Sequence, residues 1–393
     1  MSHSYIAGVG ITPFGSLDRH DIRSLTSLAT AEVYADTAIP CSDTDRIYFG
    51  NAGAGTLTGQ EMIRGQVMLR GTQLAGIPLI NVENACASGG SALFLAHEAI
   101  ISGAIEVALV IGVEKMAVAE KQRAFQALWG SCDTFEIGQF PNDMAGCSVL
   151  MDRYAGVARH YLERAGAEVE DFARVAVKNR SNAKLNPIAQ FKRSQTIEEV
   201  IGARVIAAPL TLPMCAPLTD GCVALLICSD EYLRSRGSTS AVRINACALA
   251  CNAGDDVSPV ETSTYEACER AGCDVTDADC IELHDAAAPA ELLQYEEIGL
   301  CEPGGALELI RSGKTDLDGA TPVNTSGGLL SRGHALGATG AAQVAELFFQ
   351  LSGRAGKRQL DNPRLAMAVN GGGWLGNSYA LAVTTICEKI NLR

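Results

Sequence analysis

The cysteine at position 86 stands in surroundings that could make it a nucleophile. Cys86 lies in residues 84–90 (NACASGG), between an extended apolar run and a helical stretch of apolar residues. Unpaired backbone N–H groups and the helix dipole favour an anion at a helix start, so we expect the pKa of this thiol to be lowered. Small neighbours would let a substrate carbonyl approach the sulfur. The pattern therefore predicts a thiolate nucleophile.

Two histidines lie in segments that would leave their rings accessible. His334 belongs to the glycine-rich residues 333–340 (GHALGATG), and a tight loop of this kind displays a ring instead of burying it. His284 ends an apolar strand and is followed by the small residues 285–288, so we expect it to face a cavity. Imidazole is the side chain that most often exchanges a proton near neutral pH. The sequence thus predicts a histidine base for the cysteine.

The glycine run at residues 371–376 (GGGWLG) formally matches the dinucleotide pattern GxGxxG. That motif requires a helix directly after the glycines, whereas residues 377–385 have the composition of a strand. We therefore exclude a dinucleotide site. Consecutive glycines at a strand end instead favour close approach of the backbone to a ligand or an oxyanion.

Alternating strands and helices would have to position these groups, as in a layered α/β protein. The predicted strands are 5–11, 46–50, 79–83 and 106–112 in the first half, and 241–249, 280–284, 320–324, 364–369 and 378–385 in the second. The predicted helices are 21–36, 59–69 and 87–102, then 262–271, 289–299 and 338–352. Both halves show the same order, which predicts an internal duplication.

A long segment in the first half has no counterpart in the second. We predict a first half at residues 1–234, with an insertion at about 114–217, and a second half at 235–393. An insertion above a site usually shapes the substrate pocket.

Composition narrows the class of protein and of partner. Apolar residues make up 47% of the chain and charged residues 19%, enough to bury large cores. The net charge of −14 argues against nucleic-acid and anionic-membrane partners. The 14 cysteines come without a recognisable secretion signal or membrane span, so we expect reduced thiols in a cytoplasmic protein. No pair of cysteines has convincing zinc-ligand spacing, and we predict no metal.

Taken together, the motifs resemble the thiolase superfamily, most closely its sterol-carrier-protein-type (lipid-transfer-type) branch, over nearly the whole length. The motifs that carry the resemblance are 84–90 (NACASGG), 282–285 (ELHD), 291–301 (ELLQYEEIGLC), 324–328 (NTSGG), 333–340 (GHALGATG) and 371–373 (GGG). The resemblance implies two βαβαβαββ halves packed into a five-layer α-β-α-β-α core, with a loop domain inserted in the first half.

The resemblance also implies a role for each candidate residue. Cys86 would be the acylated nucleophile, and His334 would activate its thiol and later help to bind a thioester oxygen. His284 would occupy the second carbonyl-binding position, where many thiolases carry an asparagine with a water. The backbone N–H groups of Cys86 and Gly372 would form an oxyanion hole for acyl transfer.

Two expected thiols are missing from the chain. Thiolases use a second acid/base, usually a cysteine, which in the sterol-carrier branch follows the His-Asp pair and in other branches heads the last glycine run. These positions are Ala286 and Asn370 here. The proline that usually follows the loop histidine is Ala335, a milder change.

We therefore predict an acyltransferase that forms or cleaves a carbon–carbon bond of a β-ketoacyl-CoA through a thioester on Cys86. The alternatives are acyl transfer to an electron-rich phenolic carbon, a retro-aldolase of the lipid-transfer type, and a non-catalytic thiolase-like subunit. Coenzyme A would enter as a substrate, with no permanently bound cofactor. The resemblance implies a homodimer and a possible partner subunit, a small OB-fold protein with a zinc ribbon.

Overall fold

The computed structural model describes residues 3–141, 148–237, 240–254 and 257–391. The strands are β1 (Ser4–Ile11), β2 (Arg46–Gly50), β3 (Leu79–Val82), β4 (Val107–Lys115), β5 (Val205–Ala207), β6 (Leu210–Thr211), β7 (Asp220–Ser229), β8 (Ser240–Cys251), β9 (Cys280–Glu282), β10 (Leu365–Gly372) and β11 (Leu381–Asn391). The helices are α1 (Ile22–Thr37), α2 (Ala54–Thr58), α3 (Arg64–Leu69), α4 (Ser88–Ile101), α5 (Lys121–Trp129), α6 (Thr134–Ile137), α7 (Val149–Ala165), α8 (Val169–Lys184), α9 (Ile197–Ile201), α10 (Asp230–Ser235), α11 (Pro259–Ala271), α12 (Ala288–Glu297), α13 (Ala306–Arg311), α14 (Gly328–Ser331) and α15 (Thr339–Leu351). Within these ranges, no helix has the length and apolar character that crossing a membrane requires.

The strands of the two halves follow the same order. The main sheet runs β3-β2-β4-β7-β1-β8-β11-β10-β9. In the first half, β4 is parallel to β2 and antiparallel to β7. In the second half, β10 is parallel to β9 and antiparallel to β11. The halves join where β1 pairs with β8 through residues Ser4 to Ile6. The predicted duplication is confirmed.

Two helices form the central layer between the half-sheets. α4 contacts β2 and β4 on one side and β8 and β11 on the other, and α15 likewise contacts strands of both halves. Both helices are rich in small and apolar residues, and almost every side chain of α15 is buried, as expected for a helix enclosed on all sides. α1 covers the outer face of the first half-sheet and α11 that of the second, which completes the five layers.

A pair of glycines lets the two central helices approach each other closely. A Cβ added to Gly340 would lie 2.5 Å from the backbone nitrogen of Gly90. Such a distance is shorter than any real contact, so only glycine fits there. The start of α4, which follows Cys86, is thereby held against the start of α15, which follows the His334 loop.

The structure differs from the sequence-based prediction at two strands. β7 (Asp220–Ser229) is a fully buried strand that the prediction missed. The predicted strand at 320–324 was wrong: within it, only Val323 makes a single bridge, to Ile281. The insertion predicted at about 114–217 contains α5 to α9 and β5 and β6, and residues 142–147 of it lie outside the described ranges. The boundary predicted at 234/235 falls within α10 and stays a prediction.

Candidate active site

A strained turn presents Cys86 just before the first turn of α4. Ala85 has a φ of 48°, a left-handed conformation that is unfavourable for a residue with a Cβ. Local hydrogen bonds hold the turn: the Ser88 hydroxyl donates to the Ala85 carbonyl at 2.7 Å, and the Asn84 amide Nδ2 donates to Ser91 Oγ at 2.9 Å. Hydrogen bonds within the segment that carries the thiol thus compensate for the backbone strain at Ala85.

Burial dominates the electrostatics of the Cys86 thiol. Cys86 is 4% exposed, and its burial, together with the negative charge of Glu114, raises the thiol pKa to about 12. The backbone N–H of Gly373 donates to the sulfur and acts in the opposite direction, but it does not offset the burial. The predicted lowering of this pKa was therefore wrong for the free protein, because desolvation of the anion outweighs the helix start.

This raised pKa has a measurable consequence for alkylation. We expect the rate at which iodoacetamide modifies Cys86 in the free protein to rise about tenfold per pH unit from pH 7 to 10, because thiolate becomes more abundant as pH rises toward the pKa. Peptide mass spectrometry of quenched samples would measure this rate at each pH. A plateau below pH 8 would contradict the raised pKa and indicate a preformed thiolate–imidazolium pair.

His334 has its tautomer set by a neighbouring threonine. Its Nδ1 lies 2.7 Å from Thr339 Oγ1, and that hydroxyl donates its own proton to the Ala335 carbonyl at 2.9 Å. The hydroxyl must therefore accept from Nδ1–H, which leaves the lone pair of Nε2 free. Burial, and then the charge of Arg332, lower the pKa of His334 to about 3, so the ring is neutral in the free protein.

His284 is held from both its backbone and its ring. The Gln294 side chain accepts from the His284 N–H and donates to its carbonyl, each at 2.9 Å. On the ring, Nδ1 lies 3.3 Å from the amide nitrogen of Asn370. Burial, and then the neighbouring His334, lower the pKa of His284 well below its usual value, so this imidazole is also neutral.

The two halves of the fold bring the three side chains together. The Cys86 sulfur and one nitrogen from each of His284 and His334 lie within 4.8 Å of one another. The imidazole rings meet edge to face, with 5.2 Å between their centroids. Sulfur and imidazole nitrogen are also ligands of zinc, and the prediction of no metal stays a prediction.

A cavity of about 1070 Å³ opens onto the three side chains. Its wall is mainly apolar, and much of it comes from the insertion. The insertion residues that line it include Met116, Val118, Phe125, Leu128, Leu150, Met151 and Tyr154. Gly373 lines the cavity, whereas Gly372, the oxyanion-hole residue expected from the resemblance, is not among the lining residues. The volume is large enough for a drug-sized ligand.

Several site residues were not found from the sequence. Thr339 lies within the glycine-rich motif five residues after His334, so its role could have been suspected. Tyr379 packs edge to face on His284 at 5.5 Å and its hydroxyl donates to the His284 carbonyl at 3.3 Å, but no local pattern marks it. The same holds for the contacts of Asn370, whereas Gly373 belongs to the glycine run for which the sequence predicts close approach of the backbone to a ligand.

Both halves of the chain match models of known protein families. The model of the thiolase N-terminal domain matches residues 4–202, and that of the thiolase C-terminal domain-like family matches residues 248–385. The chain is 36% identical to benzoylsuccinyl-CoA thiolase subunit BbsB of Thauera aromatica, with 94% of each chain covered. It is 33% identical to sterol carrier protein 2 of Gallus gallus over 97% of this chain and 71% of that protein. The fold also matches the solved Ltp2-ChsH2(DUF35) aldolase, at 24% identity and a TM-score of 0.79 over 98% of this chain and 97% of that one.

Proposed function

This chain belongs to the thiolase family and is a thiolase-like acyltransferase, and we propose that it forms or cleaves a carbon–carbon bond of a β-ketoacyl-CoA through a thioester on Cys86. The observation that carries this proposal is the meeting of a buried thiol with two neutral imidazoles, within 4.8 Å, at a large apolar cavity. The family alone would not require an intact site of this kind, because it also includes homologues with other activities.

In the cleavage direction, His334 starts the reaction as a base. The Cys86 thiol transfers its proton to the free Nε2 of His334 while the sulfur attacks the β-keto carbon. The free thiol is a poor nucleophile here because its pKa is about 12, so the base is needed. The developing oxyanion would be stabilised by the backbone N–H groups of Cys86 and Gly372, with that of Gly373 close to the sulfur.

Collapse of the tetrahedral adduct breaks the bond between the keto carbon and the α-carbon. The bonding electron pair moves to the α-carbon and its thioester carbonyl, as an enolate, and the acyl group stays on Cys86. The proton held by His334 passes to the α-carbon, and the CoA thioester that contains this carbon is released, while the shortened acyl group remains on Cys86. Coenzyme A then attacks the thioester, its thiol proton passing through His334 to the departing Cys86 sulfur. Condensation is the reverse sequence.

The cavity wall supports a bulky or aromatic acyl group. Tyr154 and Tyr379 line the cavity, and their rings pack with Trp374 into an aromatic cluster beside His284. Offset and edge-to-face contacts of this kind stabilise aromatic ligands. The relative named for benzoylsuccinyl-CoA supports the same substrate class. Coenzyme A is proposed as a substrate that comes and goes.

Assembly with other subunits is also part of the proposal. The edge strand β3 leaves Ile80 exposed next to the segment that leads to Cys86, which supports a homodimer formed through this edge. One relative is named as a subunit, and the matching solved structure is named as a complex with a DUF35 protein. We therefore propose a small OB-fold partner, and a cytoplasmic location for the assembly.

Intact-protein mass spectrometry would test the activity. The protein, with and without a candidate OB-fold partner, would be incubated with a panel of acyl-CoA and β-ketoacyl-CoA compounds. We expect a single acyl mass increase, largest for aromatic or bulky acyl groups. Retro-aldol cleavage of a β-hydroxyacyl-CoA without any adduct would overturn the proposal in favour of an aldolase, which the fold match to an aldolase makes the second candidate. Neither adduct nor cleavage would indicate a non-catalytic subunit, and an adduct that transfers only to a phenol would indicate a carbon acyltransferase of that kind.

The role of His284 predicts a separation of two rates. In His284→Ala we expect cleavage of a β-ketoacyl-CoA to slow about 100-fold, because one donor to the enolate oxygen is lost. Acylation of Cys86 by a simple acyl-CoA, which needs no enolate, should change by less than about threefold. Rapid-quench kinetics with intact-mass readout would measure both. An equal loss in the two reactions would contradict this role.

A further inference from the structure

We propose that Asn370 is a positioning residue that fixes His284 as a hydrogen-bond donor, so that His334 alone carries the proton. This inference rests on the proposed function and deepens it. It answers how the site works although both expected second thiols are missing, because Asn370 occupies one of those two positions.

The orientation of the Asn370 amide follows from its two neighbours. One end of the amide lies 3.2 Å from the Cys86 carbonyl oxygen, which can only accept. That end must be the nitrogen, Nδ2. The same nitrogen lies 3.3 Å from His284 Nδ1 and 3.5 Å from the Gly371 carbonyl oxygen, so its second hydrogen is available to the nearer ring nitrogen. Asn370 thus links the peptide of the nucleophile to the neighbouring imidazole.

The oxygen end of the amide indicates that Asn370 is useful for the hydrogen bonds that its N–H groups donate. Asn370 Oδ1 is buried and has no hydrogen-bond partner. It sits in a space left by Gly90 and Gly340, where an added Cβ would lie 2.7 Å and 2.2 Å from it. Burying an unsatisfied carbonyl is unfavourable, and an apolar side chain would avoid that cost. The two N–H bonds are therefore the useful part of this side chain.

The protonation of His284 follows from this contact. A nitrogen that accepts a hydrogen bond carries no proton, so the single proton of the neutral ring lies on Nε2. Nε2 is the nitrogen opposite the Asn370 contact, and His284 lines the cavity. Through Nε2, His284 can therefore donate to a substrate oxygen but cannot accept a proton. His334 has the opposite tautomer, because Thr339 holds its Nδ1–H and leaves Nε2 as the acceptor.

Because their tautomers are opposite, the two rings have different roles: His334 carries the proton, and His284 donates a hydrogen bond. The thiol proton of Cys86 goes to His334 and returns from it to the α-carbon, while the electron pair of the broken carbon–carbon bond rests on an enolate oxygen that accepts from His284 Nε2–H. In this half-reaction His334 carries one proton, from the thiol to the α-carbon, and no second acid or base takes part. Asn370 does not touch the reacting atoms; it acts through His284.

NMR of protein labelled with ¹⁵N-histidine tests the assignment directly. The resonance of a protonated ring nitrogen is well separated from that of an unprotonated one, and the His284→Ala spectrum identifies the His284 signals. We expect His284 to carry its proton on Nε2 and His334 on Nδ1. In Asn370→Asp, an isosteric carboxylate that only accepts, the proton of His284 should move to Nδ1 or be joined by a second one. A wild-type His284 protonated on Nδ1 would overturn the inference.

Kinetics of the same variants separate positioning from damage to the fold. We expect Asn370→Asp to slow carbon–carbon cleavage about 100-fold, and Asn370→Ala, which leaves the tautomer free, to slow it less. Acylation of Cys86 by a simple acyl-CoA should change less than about threefold in Asn370→Ala. If the wild type forms no adduct, the proposed function fails, whatever the tautomer. If it forms one and cleavage is unchanged in both variants, only the role of Asn370 fails.

Discussion

We expect the Cys86→Ser variant to gain no mass from any acyl-CoA, while the wild-type protein gains one acyl group. A serine hydroxyl keeps the shape of the turn, but it is a far weaker nucleophile than a thiolate. Turnover should fall by a factor on the order of 10⁶, the size of effect seen when a covalent nucleophile is removed. Intact-mass spectrometry and steady-state turnover measure the two effects.

Cys132→Ser is the matched control for this experiment. Cys132 is also buried, and its thiol pKa is likewise raised by burial, to about 11, but it is not among the residues that line the cavity. We expect this variant to retain the adduct. A persistent adduct in Cys86→Ser would place the acyl group on another residue, and a lost adduct in both variants would indicate a disturbed fold.

Loss of the base should have the second largest effect, with its own pH signature. In His334→Ala we expect acylation of Cys86 to slow by about 10²–10⁴, the usual contribution of a positioned general base. The deficit should shrink as pH rises toward the thiol pKa of about 12, because hydroxide then produces the thiolate that His334 no longer provides. Rapid-quench acylation at a series of pH values between 7 and 10 measures the trend.

His160→Ala serves as the control for His334. His160 is exposed on α7, within the insertion, and does not line the cavity. We expect wild-type acylation at every pH in that variant. A constant deficit across the pH range in His334→Ala would mean that the ring positions substrate instead of accepting the thiol proton.

The strand and the helix on either side of Cys86 could be predicted from the sequence, whereas the buried strand β7 could not. The change from an extended run to a helical one around Cys86 marks β3 and α4 by periodicity and small residues. β7 is a continuous apolar run, buried on both faces, which has no alternation to distinguish it from a buried helix. It was also obscured by the end of the insertion. The predicted strand at 320–324 is reduced to one bridge at Val323, and the chain turns directly after it, where residue 324 has a left-handed φ of 55°.

Protonation at the site could not be predicted from residue types. The sequence places Cys86 at a helix start, which favours an anion, but only the packed structure reveals how completely water is removed from the sulfur. Likewise, the sequence shows that Asn370 stands where a thiol is expected. That its amide reaches both the Cys86 carbonyl and His284 depends on how β10 lies against the turn, and no local pattern encodes such a long-range contact.

The way in which the two halves join predicts how heat or denaturant would inactivate the enzyme. Cys86 is delivered by the first half, while both imidazoles and Asn370 are delivered by the second, and the contact between them passes through the glycine-lined crossing of α4 and α15. Heat or denaturant that lets the halves slide by a fraction of a helical turn would part sulfur from nitrogen while each half keeps its own sheet and helices. Acyl transfer in such a protein reports whether the two duplicated halves keep their relative position. It should therefore be lost at a lower temperature or denaturant concentration than the circular dichroism signal of either half.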